Sequence, residues 1–331
     1  MNNEKNTATS KAKDDIARFL KEDDYKIIEL VRFKNRLEKF RYSRKIIHSK
    51  FNTLSEGDTL VIQYPTYLGY RFENKLIDYL IKRKVKIIIV IHDIDALRFK
   101  NKRQPSLNKE IEELNRVDCV VTSNSSMDRL LKDNGLNVPT VILGIFDYFH
   151  KEKISENIEF EPKLNFAGNL NKSKFIYDYP DNNIKLDTFG NIEDESRIPK
   201  FVNYKGVFPA DKLTNEFKSG FGLVWDGESS LEIKGLYGKY LMYNNPHKLS
   251  LFLSSGMPVI IWKDAALASF VKSNNVGVLV DSLSEVEMCL REIDEESYKE
   301  MTKNAVKIGK SLTHGYFIKT AIEKSQEIIS L

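Results

Sequence analysis

The chain has 331 residues, 41% of them hydrophobic and 30% charged, with a net charge of +4. This length is a prior for two domains, and the balance is that of a globular protein rather than a disordered or fibrous one. So small an excess of cations, mixed with anions, excludes nucleic acid as the expected partner. Cys119 and Cys289 lie in apolar patterns far apart in sequence and read as reduced core residues. The polar start, MNNEKNTATSKAKDD, has no apolar core of a secretory signal. The longest apolar run, 85–91, falls far short of the ~20 residues that span a bilayer. A cytoplasmic protein without a transmembrane segment is expected, with a peripheral membrane contact left open.

In chain order, a polar loop over 6–11 enters a helix with Ser10 as N-cap and Ile16, Phe19 and Leu20 as its apolar stripe. A strand is predicted over 25–31 (YKIIELV), then a basic amphipathic helix over 33–51. Strands over 58–64, 85–91, 118–122 and 140–143 alternate with helices over 72–84, 105–117 and 125–135, with Gly135 as a helix stop. This alternation predicts a doubly wound parallel sheet. A charged stretch over 147–162 reads as a linker. Strands follow over 163–167, 185–189, 202–204, 220–225, 258–262 and 277–280. Helices are predicted over 209–218, 247–253, 283–293, 295–312 and 316–329, and a long loop over 226–240. The expected fold class is α/β, with two Rossmann-like parallel-sheet domains facing across a cleft. Residues 1–150 form the first and 151–313 the second, and a C-terminal helix over 314–331 could return to the first. The cleft is the default site.

Five stretches could carry chemistry. In Asn244-Asn245-Pro246-His247-Lys248-Leu249, turn residues open a helix whose first N–H groups lack internal partners. With His247 and Lys248 beside it, this start suits a phosphate or diphosphate; the alternative is an ordinary capped helix. After the strand over 163–167, Gly168 and Asn169 allow close backbone approach, and Lys172 and Lys174 follow. A plain βα turn with surface lysines is the alternative. His92, Asp93 and Asp95 directly follow the strand over 85–91, where open α/β sheets bind ligands. Asp93 as a turn cap is the competing reading. Asp93 and Asp95 lack the further carboxylates and histidines of a metal site. Tyr204 ends a short strand and could contact a nucleotide or sit half-buried in the core. Asp226-Gly227-Glu228 opens the long loop, a place where function often resides. Walker, GxGxxG, GxSxG, HExxH and CxxC motifs are absent.

AGNLNKSKF (167–175) together with NNPHKLSLFLSSGMPVI (244–260) resembles the GT-B-type glycosyltransferases. More narrowly, it resembles the glucosyltransferases that extend O-linked N-acetylglucosamine on serine-rich-repeat adhesins, and the related β-1,6-galactofuranosyltransferase-like proteins. QYPT (63–66), IHDIDALRF (91–99), VNY (202–204) and GFGLVW (220–225) fall in the same order. The resemblance covers nearly the whole chain. It implies a UDP-sugar as donor substrate, no further cofactor and no metal, a GlcNAc-modified serine-rich protein as acceptor, and a homotetramer. It assigns donor binding to Gly168, Asn169, Lys172, Lys174 and Tyr204, to residues 244–249, and to Asn6, Thr9 and Lys11 of the first loop. Lys172 stands where relatives usually carry Arg, which keeps the charge without the bidentate fork. The Glu-x7-Glu pair of many retaining relatives is replaced by Tyr243 and Leu251. An inverting mechanism would need a base, for which His92, Asp93 and Asp95 are the groups available. Three functions fit: a transferase adding the second sugar to a protein-linked GlcNAc, a transferase of capsule or lipid-linked oligosaccharide, and a non-catalytic GT-B-like partner.

Overall fold

The computed structural model describes residues 8–33, 35–98, 105–180 and 183–330. The chain divides into two compact units, Met1–Ile16 with Gly144–Phe317, and Ala17–Leu143 with Ile318–Leu331. We call them the 144–317 unit and the 17–143 unit.

Helix α1 (Ala8–Glu22) is followed by α2 (Arg36–Phe51), β1 (Thr59–Tyr64), α3 (Tyr70–Lys82), β2 (Lys86–Ile91), α4 (Asp95–Arg98), α5 (Leu107–Leu114), β3 (Cys119–Thr122), α6 (Ser125–Asp133) and β4 (Thr140–Ile142). The four strands form one parallel sheet in the order β1-β2-β3-β4. Residues 87–91 of β2 are all buried, as a strand covered on both faces requires. Phe72, Leu76 and Leu80, four residues apart on α3, are buried on one helix face. Asn35 and Asn124 cap α2 and α6, each side-chain oxygen accepting an N–H three residues on.

The second series is β5 (Glu159–Ala167), β6 (Lys185–Phe189), β7 (Val202–Gly206), β8 (Ser219–Val224), α7 (Gly235–Tyr240), α8 (His247–Ser254), β9 (Val259–Trp262), α9 (Ala268–Ser273), β10 (Gly277–Val280), α10 (Val286–Arg291), α11 (Glu295–Leu312) and α12 (Tyr316–Ser330). Its parallel sheet has the order β10-β9-β8-β5-β6-β7. From β5 the chain winds outward through β6 to β7, then returns to β8 on the other side of β5 and winds out to β10. That reversal, between β5 and β8, is the switch point at which open α/β sheets take ligands beyond the carboxyl ends of the strands. Helix α8 packs on β8 through Phe252: a Cβ on Gly222 would stand 2.2 Å from its ring. Only glycine lets helix and strand approach this closely.

The two parallel α/β sheets are those expected. Several elements differ. Residues 25–31 form no strand, and Val31 is 79% exposed. An apolar, β-prone run becomes a strand only beside a free sheet edge of matching register, and this one pairs with no strand among the described residues. The helix expected over 209–218 shrinks to a 3-10 turn, Leu213–Glu216. The loop over 226–240 contains α7, and α9 lies where no helix was expected. Ser10 is inside α1 rather than its cap. Cys119 and Cys289 are free thiols. No helix among the described residues is long and apolar enough to cross a membrane.

Candidate functional site

The carboxyl ends of β5, β6 and β7 are stitched into a row. Gly168 N–H donates to Phe189 O at 2.9 Å, Leu170 N–H to Asn191 O at 3.0 Å, and Gly190 N–H to Gly206 O at 2.9 Å. Gly190 has φ +139°, and a Cβ on it would meet Gly168 O at 1.8 Å, so the two strand ends touch backbone to backbone. Phe189-Gly190-Asn191 repeats the pattern of Ala167-Gly168-Asn169 one strand away, a sequence signal pointing to Gly190. Asn169 closes the turn after β5, its side-chain oxygen accepting from Asn171 N–H at 3.1 Å. Lys172 and Lys174 beyond it are exposed. Lys174 reaches Glu228 at 3.3 Å. Among the described residues, the Lys172 ammonium pairs with no carboxylate. Tyr204 is half-buried, and its hydroxyl donates to Gly190 O at 3.0 Å.

The start of α8 comes to the same carboxyl end of the sheet. Pro246 occupies the N-cap position and offers no side-chain cap, so the first N–H groups of the helix point out of its end. Asn245 is buried and donates to Gly144 O at 3.1 Å. Asn244 Oδ1 is buried without a hydrogen bond. Leu249 is a core residue, fully buried, so only its backbone belongs to the helix start. The two basic residues diverge. The His247 ring packs against Tyr148 at 5.0 Å and Phe146 at 6.4 Å between centroids, with Nε2 buried and unbonded. Burial, helped by the charge of Lys11, pushes its pKa down to about 3, so it is neutral at physiological pH and brings no charge to an anion. Lys248 extends over the Phe166 ring, 5.2 Å from its centroid, and its Cε lies 3.3 Å from where a Cβ on Gly168 would be. Its ammonium contacts both carboxylate oxygens of Asp226, at 2.8 and 2.7 Å. Asp226 directly follows Trp225 at the end of β8, so Gly168 and Asp226 mark the two sides of the switch point and Lys248 bridges them.

Lys11 belongs to the same unit but is committed elsewhere. Its ammonium holds Asp15 and Phe149 O at 2.5 and 2.7 Å and sits 4.4 Å from the Tyr148 ring centroid. Asp15 in turn accepts from Phe149 N–H at 3.0 Å. Lys11 thus fastens α1 to the segment carrying the ring on which His247 packs. Asn6 and the side chain of Thr9 lie outside the described residues.

His92, Asp93 and Asp95 belong to the 17–143 unit, at the carboxyl end of β2. Buried His92 shares a 2.8 Å hydrogen bond between Nε2 and Gln63 Oε1. Asp93 pairs with Arg98 at 2.6 Å. Asp95 opens α4, its N–H donating to Glu110 at 3.2 Å. Asp93 thus serves as the partner of Arg98 as well as standing at a strand end. Of the expected residues, Gly168, Asn169, Tyr204 and Lys248 gather at the carboxyl end of one sheet. Asp226 was visible in sequence only as part of a long loop; what distinguishes it is its contact with Lys248.

An ammonium, uncapped helix amides and close glycine turns at a switch point suit an anion on which charge develops, as in departure of a diphosphate leaving group. The chain is 30% identical over 278 residues to glucosyltransferase 3 of Streptococcus parasanguinis, covering 82% of this chain and 79% of that protein. It is 30% identical over 281 residues to the β-1,6-galactofuranosyltransferase WbbI of Escherichia coli K12, covering 82% and 80%. Among solved structures it resembles HepE of Anabaena in complex with UDP-glucose, with TM-score 0.56, 12% identity, and 91% and 85% of the two chains covered. It also resembles the E. coli trehalose-6-phosphate enzyme bound with UDP-2-fluoro glucose, with TM-score 0.56, 10% identity and coverage of 87% and 77%. At these identities the structures speak for the two-domain GT-B fold alone. The glucosyltransferase 3-like N-terminal domain matches residues 1–145 and the C-terminal domain residues 164–325, so the chain is a glycosyltransferase belonging to the glucosyltransferase 3-like family.

Proposed function

We propose that the chain transfers a hexose, glucose or N-acetylglucosamine, from a UDP-sugar to O-linked GlcNAc on a serine-rich-repeat adhesin, as the second step of its glycosylation. The observation that carries the donor half is Lys248, projecting from the uncapped start of α8 across the switch point to Gly168. In this reading Lys248, the N–H groups of His247 and Lys248 and the Gly168-Asn169 turn hold the diphosphate, while Leu249 N–H donates to Pro246 O at 2.9 Å. Lys172 and Lys174 add charge at its rim, Asn244 and Asn245 shape the turn, and Tyr204 lines the nucleotide. The family resemblance assigns Asn6 and Thr9 to the donor as well, and Lys11 anchors α1. Among His92, Asp93 and Asp95, His92 is the group assigned to the acceptor hydroxyl, since Asp93 is paired with Arg98. The similarity to glucosyltransferase 3 supports glucose as the sugar transferred. We place the reaction in the cytoplasm and the enzyme in a homotetramer.

A second reading, galactofuranosyl or hexosyl transfer in capsule or lipid-linked polysaccharide synthesis, is favoured by the equal similarity to WbbI. One assay separates them: UDP release and product mass with UDP-glucose, UDP-GlcNAc or UDP-galactofuranose and a GlcNAc-bearing peptide. Transfer of glucose or GlcNAc to the peptide is expected, and no transfer from any donor sinks the proposal. In the same assay Lys248→Ala lowers both UDP affinity and turnover, tenfold or more from the ~1.5–3 kcal/mol of a charged hydrogen bond. His92→Gln lowers turnover and leaves UDP affinity unchanged.

A further inference from the structure

The loop after β8 supplies carboxylates to two lysines of the site. Asp226 takes the Lys248 ammonium with both oxygens, at 2.7 and 2.8 Å, and Glu228 reaches Lys174 at 3.3 Å. The bend that presents them is anchored on either side. Trp225 is fully buried, its indole N–H donating to Ser229 O at 3.0 Å. Ser229 and Ser230 donate to the side chain and backbone carbonyl of Asp178, at 3.0 and 2.6 Å. Gly227, at φ +124°, makes the turn between the two acids, and a Cβ there would meet Lys234 O at 2.9 Å. The Asp226 carboxylate is therefore built into the edge of the site.

We propose that Asp226 is an internal competitor for the Lys248 ammonium, a carboxylate that opposes retention of the diphosphate and speeds departure of UDP after transfer. The inference rests on the donor-site reading above. A diphosphate reaching Lys248 shares an ammonium that already gives two of its three N–H donors to Asp226, and it then lies beside a like charge. The side chains of Lys248 and Asp226 are 17% and 28% exposed, so water screens this repulsion only in part. When UDP leaves, the carboxylate is at hand to compensate the ammonium, which need not wait for solvent or counter-ions. Release of product limits turnover in many enzymes, so a device that weakens product binding has an evident use. The alternative is that Asp226 only positions Lys248, and it predicts the opposite sign for the same substitution.

The test is calorimetric titration of full-length wild type and Asp226→Asn with UDP and with uridine. The competitor role predicts UDP binding about five- to tenfold tighter in Asp226→Asn, the size of a screened like-charge contact, with uridine affinity unchanged. It also predicts slower UDP release by stopped flow with a fluorescent UDP analogue. In a Lys248→Met background the same substitution should change UDP affinity less than about twofold, because the competition has lost its object. Unchanged or weaker UDP binding in Asp226→Asn overturns the proposal. If Asp226→Asn does not fold, Asp226→Ser serves for the same comparison. Failure of the wild type itself to bind UDP overturns the donor-site reading, and this is distinguishable because it appears before any variant is made.

Discussion

Lys248 and His247 are adjacent, both basic in sequence, and have opposite fates: one reaches the sheet edge as a cation, the other packs neutral against Tyr148. The 3.6-residue turn of a helix sends neighbours about 100° apart, so two consecutive residues seldom serve one ligand. Glu113 shows the same dependence on surroundings. It is fully buried on α5, neither carboxylate oxygen has a hydrogen bond, and burial, with the nearby charges of Glu73 and Glu110, pushes its pKa up to about 9. Glu110, which accepts from Tyr64 at 2.9 Å, is pushed up to about 7, burial being the main cause. A carboxyl whose folded pKa exceeds its unfolded value binds its proton more tightly when folded. Its contribution to stability is therefore complete below the unfolded value of 4.5 and is lost as pH rises toward 9. Melting of the wild type should accordingly decline between pH 5 and 9, on the order of 1 kcal/mol per pH unit at its steepest. Glu113→Gln should flatten that decline and melt higher than wild type at pH 8. A wild-type melting temperature independent of pH over this range would show that Glu113 has found a partner or water.

At the scale of elements, α8 has two tasks. In the proposed function its start holds the anion, and its body fixes the start in place through Phe252, pressed into the gap left by Gly222 and 4.9 Å from the Phe217 ring. Gly222→Ala should force α8 outward, costing ~1–3 kcal/mol as overpacked cores do, and should weaken UDP binding because Lys248 moves with the helix. Combining it with Phe252→Leu should recover part of both losses. A variant melting and binding like wild type would show that α8 is not held by this contact. The helix itself was legible in sequence, from turn residues, an apolar stripe and a glycine stop. The strand expected over 25–31 was not a sound reading, because alternation and β-propensity describe a surface that can pair and do not supply the partner. The helix over 209–218 failed for a related reason: Pro209 and a short apolar pattern support a single 3-10 turn, too little to propagate an α-helix.

Across the whole molecule, the chain leaves the 17–143 unit after Leu143 and re-enters it at Ile318, so the last helix completes a unit begun near the amino terminus. Ile318, Ala321, Ile322 and Ser325 of α12 are buried. Burying each isoleucine contributes ~1.5–3 kcal/mol, a large part of the ~5–15 kcal/mol by which proteins of this kind are stable. Truncation after Phe317 should therefore lower melting sharply and raise amide exchange in β1 to β4, while exchange in β5 to β10 changes less. Equal protection of both sheets in the truncated chain would refute this dependence. The alternation of strands and helices, their approximate bounds, the glycine turn at 168–169 and the helix start at 244–248 could all be read from the residues, because periodicity and turn chemistry are local. The reversal of strand order between β5 and β8, the touching of Gly168 and Gly190, the neutral burial of His247 and the contact between Lys248 and Asp226 could not. Each depends on which residues distant in the chain become neighbours, and that is decided by packing and strand register, which no local pattern encodes.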